Sequence, residues 1–199
     1  MKTVRINGVD QEIPSGTLVF EDFLKDLNQG LNENRQVISS IKINGLEITE
    51  NDEATLKATP VESIGDVEIT ISNPADLAYE TLNTLEQYID RLVASVDRAA
   101  MHYISKNLIS GDAYFAKSID GLDLFVQTIG GIKLALRIGL NTKVALTEAT
   151  LVSIMNDLLE AKRQNNYVFL AELLQKDLVE NLHEWKNEIF TLFRSWKTS

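Results

Sequence analysis

An unbroken heptad pattern from residue 75 to residue 103 constrains the fold of this chain more than any other feature. Small and apolar residues recur there at alternating steps of three and four, at Ala75, Ala78, Leu82, Leu85, Ile89, Leu92, Val96, Ala99 and Tyr103. This spacing predicts one long helix with a continuous apolar seam, which must pack against other helices of the same chain or of a second copy. Asn73 and Pro74 suit its start, because asparagine caps helices and proline is tolerated at the first helical position.

Apolar residues at helical spacing predict three further helices after the long one. We expect the first to be capped by Asp112 and interrupted at Gly130-Gly131, a pair that marks either a kink or a close contact with another helix. The next is expected to start at a cap formed by Thr147, and the last to occupy the rest of the chain. Four helices joined mostly by short connections predict an antiparallel four-helix bundle over residues 74–199.

Two Asn-Gly pairs determine the structure expected for the start of the chain. They lie in VRINGVDQEI, which begins at residue 4, and in IKINGLEITE, which begins at residue 41. Asn-Gly between alternating residues is the strongest short-range signal of a two-residue hairpin, because both turn positions need a positive φ. The predicted cross-strand pairs include Ile6 with Val9, Arg5 with Asp10, Ile43 with Leu46, Lys42 with Glu47 and Ile41 with Ile48.

A helix and a closing strand complete the expected N-terminal domain. The helix is indicated by the spacing of Phe20, Phe23, Leu24, Leu27 and Leu31, with Gly30 near its end. The segment DVEITIS, residues 66–72, alternates apolar and polar residues as a strand does. The predicted order is ββαββ and a last strand. We therefore expect an α+β protein with a sheet domain over residues 1–73 and a helical bundle over residues 74–199.

The order of these elements resembles the β-grasp domains, the group that contains ubiquitin and the bacterial ubiquitin-like sulfur carriers. The stretch IKINGLEITENDEATLKATPVESIGDVEITI is similar to the second half of such a domain, with two short strands, a tight turn, a meandering segment and a closing strand. The resemblance implies an acidic β-grasp-like domain that docks protein partners. Carrier chemistry is not implied, because SNPADLAYE follows the closing strand in place of a free Gly-Gly tail.

Charge and residue content exclude several classes of function. The formal net charge is −10, and residues 1–74 carry six Lys and Arg against thirteen Asp and Glu. We therefore expect no binding to nucleic acid or to an anionic membrane surface. The absence of cysteine excludes disulfides and thiolate chemistry. No secretory signal is recognised and no segment has the roughly 18 apolar residues of a membrane span, so we expect a cytoplasmic protein. We also expect no cofactor.

Catalysis or metal binding that uses imidazole would have to use His102 or His183, the two histidines of the chain. Glu180 and His183 form one Glu-x-x-His pair, which is half of a di-iron carboxylate pattern, whereas Ala99 stands three residues before His102. Asp177 lies beside the apolar stripe of the last helix, where burial can turn a carboxylate into a general acid or base. The alternative hypothesis is thus an enzyme or metal-binding bundle that uses Glu180, His183 and Asp177.

Aromatic residues near the C-terminus predict the main binding surface. In EIFTLFRSW, Phe190 and Phe193 add apolar area beside a stripe that includes Trp185, Ile189 and Trp196. These five residues are either buried against the rest of the protein or exposed as a surface for a partner or a second copy. The leading hypothesis is a non-enzymatic protein-interaction module, such as an adaptor, chaperone or assembly factor, that binds a protein partner through the bundle helices, the β-grasp face or both.

Overall fold

A computed structural model describes three stretches of the chain, residues 2–13, 19–33 and 35–196. The protein is α+β, as the sequence predicts: a five-stranded mixed sheet is followed by a helical region. The chain divides into two compact units, Met1–Leu77 and Ala78–Ser199. The last strand ends at Ser72 and the long helix begins at Pro74, so the first turn of that helix belongs to the first unit.

The sheet contains β1 (Lys2–Ile6), β2 (Val9–Ile13), β3 (Val37–Ile43), β4 (Leu46–Glu47) and β5 (Val67–Ser72). Their order across the sheet is β2-β1-β5-β3-β4. β1 and β5 run parallel, and every other neighbouring pair is antiparallel. The strand that comes last in the sequence therefore lies in the middle and is hydrogen-bonded along both of its edges.

Both predicted Asn-Gly hairpins are confirmed. The turn residues have positive φ, 48° and 79° at Asn7 and Gly8 and 52° and 78° at Asn44 and Gly45. The Ile48 N–H also donates to the Ile41 carbonyl oxygen at 3.0 Å. The registers found are those expected for Ile6 with Val9, Arg5 with Asp10, Ile43 with Leu46 and Lys42 with Glu47.

The side chains of the two turn asparagines bind the backbone at the two ends of β5, at Ile71 and at Asp66, the residue before the strand. Asn7 Oδ1 accepts a hydrogen bond from the Ile71 N–H at 2.7 Å, and Asn7 Nδ2 donates to the Ile71 carbonyl oxygen at 3.1 Å. At the other end, Asn44 Oδ1 accepts from the Asp66 N–H at 2.9 Å. Gly65 is required beside this contact, because a Cβ there would overlap the Asn44 side chain. Each asparagine thus forms its own turn and also anchors the central strand.

Two helices belong to the sheet unit, α1 (Phe20–Glu33) and α2 (Glu50–Leu56). α1 continues three residues beyond Gly30, its expected end. α2 begins at a capping box, in which Asp52 Oδ2 accepts from the Thr49 N–H at 2.8 Å and this hydrogen bond lowers the pKa of Asp52. The buried core of the unit consists of Val4, Ile6, Ile13, Phe20, Leu24, Ile41, Val61, Ile64, Val67 and Ile69.

The helical region begins with α3 (Pro74–Ile104), α4 (Leu108–Ala135) and α5 (Thr142–Arg163). A fourth segment, which we call the C-terminal helix, runs through α6 (Tyr167–Leu173), a π turn (Leu174–Leu178), α7 (Val179–Glu184), a second π turn (Trp185–Ile189) and α8 (Phe190–Ser195). Every residue of the predicted heptad seam of α3 is buried. From Ala78 to Tyr103 the seam therefore lies in the core of the bundle, and other helices of the same chain cover it.

Neighbouring helices of the bundle are antiparallel. Between α3 and α4, Tyr103 packs on Phe115 while Tyr88, earlier in α3, bonds Gly121, later in α4. The same reversal relates the C-terminal helix to α3, because Tyr79 donates to the Trp196 carbonyl oxygen whereas Tyr103 stacks on Tyr167. Among residues 2–13, 19–33 and 35–196, no helix is long and apolar enough to cross a membrane.

α4 and α5 begin earlier than the sequence predicts. Their caps are Asn107 and Asn141, whose side-chain oxygens each accept a hydrogen bond from the backbone N–H three residues later. The expected caps, Asp112 and Thr147, lie within the helices. Both predictions were wrong because an asparagine further upstream supplies the capping oxygen.

The Gly130-Gly131 pair neither interrupts α4 nor lies against another helix. α4 continues through both positions to Ala135, and a Cβ at either glycine would meet no atom within 4 Å. The expected interruption and the expected close contact are therefore both wrong. Close packing occurs instead at Gly111, where a Cβ would lie 2.7 Å from Tyr103 Cε1.

Replacing Gly130 or Gly131 by alanine should raise the free energy of unfolding of the bundle by up to about 1 kcal/mol each, because alanine favours the helix and the space is open. Gly111→Ala, in the same helix, should lower it, because the new methyl group would overlap the Tyr103 ring. Chemical denaturation of the three variants measures the difference. The same effect at all three positions would contradict this packing.

Candidate functional site

The aromatic residues predicted to form a partner surface lie mostly in the bundle core. Trp185, Ile189, Phe190 and Phe193 are each no more than 1% exposed, and Trp196 is partly buried. The Trp185 ring makes edge contacts with Phe125 and Phe193, at centroid distances of 5.5 and 6.5 Å. The hypothesis that these residues form an exposed patch is therefore corrected: four of the five stabilise the bundle from inside.

The two π turns explain why this stripe looks too wide in the sequence. A π turn adds one residue to a helical turn, so the positions after it are rotated relative to a regular α-helix. Neighbours such as Leu173 and Leu174, or Ile189 and Phe190, are consequently both buried. When the C-terminal helix is plotted as a regular α-helix, some of its apolar residues fall on a second, exposed face. In the structure they belong to one buried face, whose position on the helix shifts at each of the two π turns.

The trio Glu180, His183 and Asp177 does not assemble into a site. Asp177 and Glu180 line one pocket, whereas His183 is exposed and is not part of its wall. Within the described stretches, no group of three or more His, Cys, Asp or Glu side chains is placed to hold a metal ion. The other histidine, His102, stacks on the Tyr114 ring at a centroid distance of 5.4 Å. The structure therefore does not bring together the three residues on which this alternative was based.

A groove of about 470 Å³ lies between α3 and α4 and is lined on both sides by cationic and aromatic residues. We call it the basic groove. Its floor is close-packed, because a Cβ at Gly121 would lie 2.9 Å from Leu92 Cδ1 and 3.1 Å from the Tyr88 hydroxyl. The lining residues are Tyr88, Arg91, Leu92, Ala94, Ser95, Arg98, Tyr114, Lys117 and Gly121.

The three cations of the basic groove have no ion-pair partner in the described part of the chain. Arg91 and Arg98 lie over tyrosine rings instead, with Cζ 6.0 Å from the Tyr88 centroid and 5.8 Å from the Tyr114 centroid. Lys117 completes the set from α4. By contrast, six other cations of the same bundle form ion pairs, namely Lys133, Lys143, Lys162, Lys176, Lys186 and Arg194.

Tyr88 is held in a fixed position at the edge of this groove. Its hydroxyl donates a hydrogen bond to the Gly121 carbonyl oxygen at 2.9 Å. Burial raises the pKa of Tyr88, and the positive charge of Arg91 opposes this only in part. The phenol is therefore protonated at neutral pH and offers an aromatic surface rather than a base. Sequence reasoning missed the groove, although Arg91 and Arg98 lie seven residues apart on one helix face.

A second pocket, of about 480 Å³, lies between α5 and the C-terminal helix, and we call it the acidic pocket. Four carboxylates line it, Asp157 from α5 and Asp177, Glu180 and Glu184 from the C-terminal helix. The buried side chain of Asn181 also reaches it. The bundle thus carries two grooves of opposite charge on different helix pairs.

A third polar cluster is already satisfied by its own partners. Tyr103 donates to Asp112 Oδ1 at 2.8 Å and Lys162 donates to the same oxygen at 2.7 Å. The hydrogen bond from Lys162 is the main reason that the pKa of Asp112 is lowered, and burial is the main reason that the pKa of Tyr103 is raised. The cluster joins α3, α4 and α5 and is structural.

Comparison with known proteins gives two family matches. Residues 3–73 match the family described as "TP0873 N-terminal domain". Residues 80–188, more than half of the chain, match the family described as "Domain of unknown function (DUF8042)". No curated protein and no solved structure matches the chain. Because the second match covers most of the bundle, the chain belongs to the DUF8042 family of domains of unknown function.

Proposed function

We propose that this protein is a cytoplasmic, non-enzymatic protein-interaction module whose bundle binds an acidic segment of a protein partner in the basic groove. The observation that carries the proposal is the cluster of Arg91, Arg98 and Lys117, which are unpaired in a chain with a net charge of −10. Carboxylates are abundant in this chain, yet none of those described neutralises these three cations.

The chemistry of the groove favours carboxylates attached to a polypeptide. Arginine binds a carboxylate through two parallel N–H donors, and such charge-assisted hydrogen bonds are stronger than neutral ones. The rings of Tyr88 and Tyr114 add apolar area for the side chains between the acidic residues. A long polyanion such as nucleic acid would meet the repulsion of the whole chain, whereas a short acidic segment meets mainly the local charge.

The titratable groups of the groove support binding rather than catalysis. They are arginine, lysine and tyrosine, and the pKa of Tyr88 is raised further above its ordinary value. General acid–base catalysis needs a group that exchanges its proton near the working pH. The two arginines and the lysine supply the positive charge that binding of an acidic segment requires, and the tyrosines supply apolar area.

The first test uses a twelve-residue peptide made of four Glu-Glu-Leu repeats, which is titrated into isotope-labelled protein and followed by NMR. We expect the largest chemical-shift changes at residues of α3 and α4. Combined Arg91→Gln, Arg98→Gln and Lys117→Gln should weaken binding about tenfold or more, because three charge-assisted contacts are lost. A control with Lys42→Gln, Lys57→Gln and Lys106→Gln removes the same charge elsewhere and should change affinity little.

The second test identifies the natural partner through a photo-reactive residue at Ala94, inside the groove, compared with one at Ala149, exposed on α5. Discrete cross-links from position 94 that disappear in Arg98→Gln support the proposal if the cross-linked peptide is acidic. Absence of peptide binding, or equal loss in the groove variant and the control variant, would refute it. A cross-link from Ala94 to the acidic pocket of a second copy would show self-association instead.

A further inference from the structure

The acidic pocket has three carboxylates without an ion-pair partner. Glu184 is bonded to Lys143, but Asp157, Asp177 and Glu180 form no ion pair in the described part of the chain. Asp177 and Glu184 are separated by about 10 Å along the helix axis, at the usual rise per residue. The negative charge is therefore spread along the pocket instead of converging on one point.

Asn181, a buried residue with one unsatisfied polar atom, is part of the lining of the same pocket. Asn181 is 3% exposed, and its Nδ2 donates to the Thr147 carbonyl oxygen at 3.2 Å. Because a carbonyl oxygen can only accept, this bond fixes the orientation of the amide. Asn181 Oδ1 is then left without any hydrogen-bond partner. Carboxylates cannot satisfy it, since they too are acceptors, so a donor from outside the chain is needed.

The helix that carries these groups is irregular at this place. The first π turn, Leu174–Leu178, contains Asp177, and the second, Trp185–Ile189, begins four residues after Asn181. π turns are rare and occur frequently at functional sites. An irregular helix, an unsatisfied buried acceptor and unpaired carboxylates coincide in one pocket.

We propose that the acidic pocket binds a linear di- or polyammonium ligand. Asp157, Asp177 and Glu180 pair with its ammonium groups, and Asn181 Oδ1 accepts one of their N–H donors. The carboxylates are spread along the pocket, and no three His, Cys, Asp or Glu side chains in the described stretches converge as a metal site requires. A primary ammonium group carries three donors, and the methylene chain between two ammonium groups can lie on Ile154 and Leu173, the apolar residues of the lining.

Calorimetric titration of the full chain with spermidine tests this inference. We expect one ligand per chain, with affinity in the order spermidine, putrescine, butylamine. Asp177→Asn and Glu180→Gln should each weaken spermidine binding about tenfold, through the loss of one charged hydrogen bond. Asp26→Asn, an exposed carboxylate on α1, is the control and should change nothing. Equal affinity for spermidine, butylamine and Mg²⁺ at matched ionic strength would show that the acidic protein attracts cations non-specifically, and this result would overturn the proposal.

Asn181→Leu separates binding from stability. The variant keeps the branched shape of the side chain but replaces the unsatisfied oxygen and the donor to Thr147 by larger methyl groups, so we expect a melting temperature within about 2 °C of that of the unmodified protein together with about tenfold weaker spermidine binding. If Asn181→Leu bound spermidine as tightly as the unmodified protein does, Asn181 would not be part of the binding site. If Glu180→Gln also bound it equally tightly, the proposal that this pocket binds the ligand would be refuted. Spermidine binding should survive Arg98→Gln, which keeps this test independent of the basic groove.

Discussion

Trp185→Ala should lower the free energy of unfolding of the bundle by about 3–5 kcal/mol, the largest effect that we expect from a single substitution. The indole is 1% exposed and packs edge-on against Phe125 and Phe193. Its removal leaves a cavity among helices that cannot close fully around it. Denaturant unfolding followed by circular dichroism measures the loss.

Trp196→Ala is the matched control, because it removes the same side chain from a partly buried position at the end of α8. We expect a loss well below that of Trp185→Ala. Trp185→Phe should also lower the free energy of unfolding less than Trp185→Ala does. It keeps an aromatic ring and removes an indole N–H that has no hydrogen-bond partner. If both tryptophans tolerated alanine equally well, the assignment of Trp185 to the core would be wrong.

Asn7→Ala should lower the free energy of unfolding of the sheet unit by about 2–5 kcal/mol. Alanine tolerates the positive φ of this turn poorly, which costs about 1–2 kcal/mol. The two hydrogen bonds to Ile71 add about 0.5–1.5 kcal/mol each. Hydrogen exchange of the β5 amides, compared with those of α3 to α5, shows whether the loss is confined to the sheet unit.

Two other asparagine substitutions separate these contributions. Asn7→Gly keeps the turn conformation and removes only the contacts to β5, so it should cost about half as much as Asn7→Ala. Asn28→Ala, at an exposed position of α1, should be neutral or slightly stabilising. Equal stability of Asn7→Gly and the unmodified protein would show that the side-chain bonds to β5 contribute nothing.

The sequence predicts well those elements whose signal is local. Asn-Gly fixes both hairpins because only a few residues accept positive φ at two successive positions. The α3 seam is equally clear, since its period of three and four is sustained from Ala75 to Tyr103. The helix α2 was not distinguished from a loop, because seven residues are too short for a periodic signal. The resemblance of residues 1–73 to β-grasp domains remains a prediction.

The functional surface was harder to predict because it depends on which residues the fold brings together. Phe190 and Phe193 looked like a binding patch only because the projection assumed a regular α-helix. The basic groove is formed on one side by α3 and on the other by α4. The binding inferred for it rests on the lack of carboxylates in its lining, which no spacing within one helix reveals. The free oxygen of Asn181 likewise depends on the position of Thr147 in another helix.

The central position of β5 has a consequence for synthesis on the ribosome. β1 leaves the exit tunnel before the other strands of the sheet, and its hairpin with β2 is local enough to form at once. The pairing of Val4 with Val67 must wait until nearly the whole unit has emerged. During that interval the apolar faces of β1 and α1 have no central strand to cover them. We expect the nascent chain to be most prone to aggregation, and most in need of a chaperone, between the emergence of α1 and that of β5.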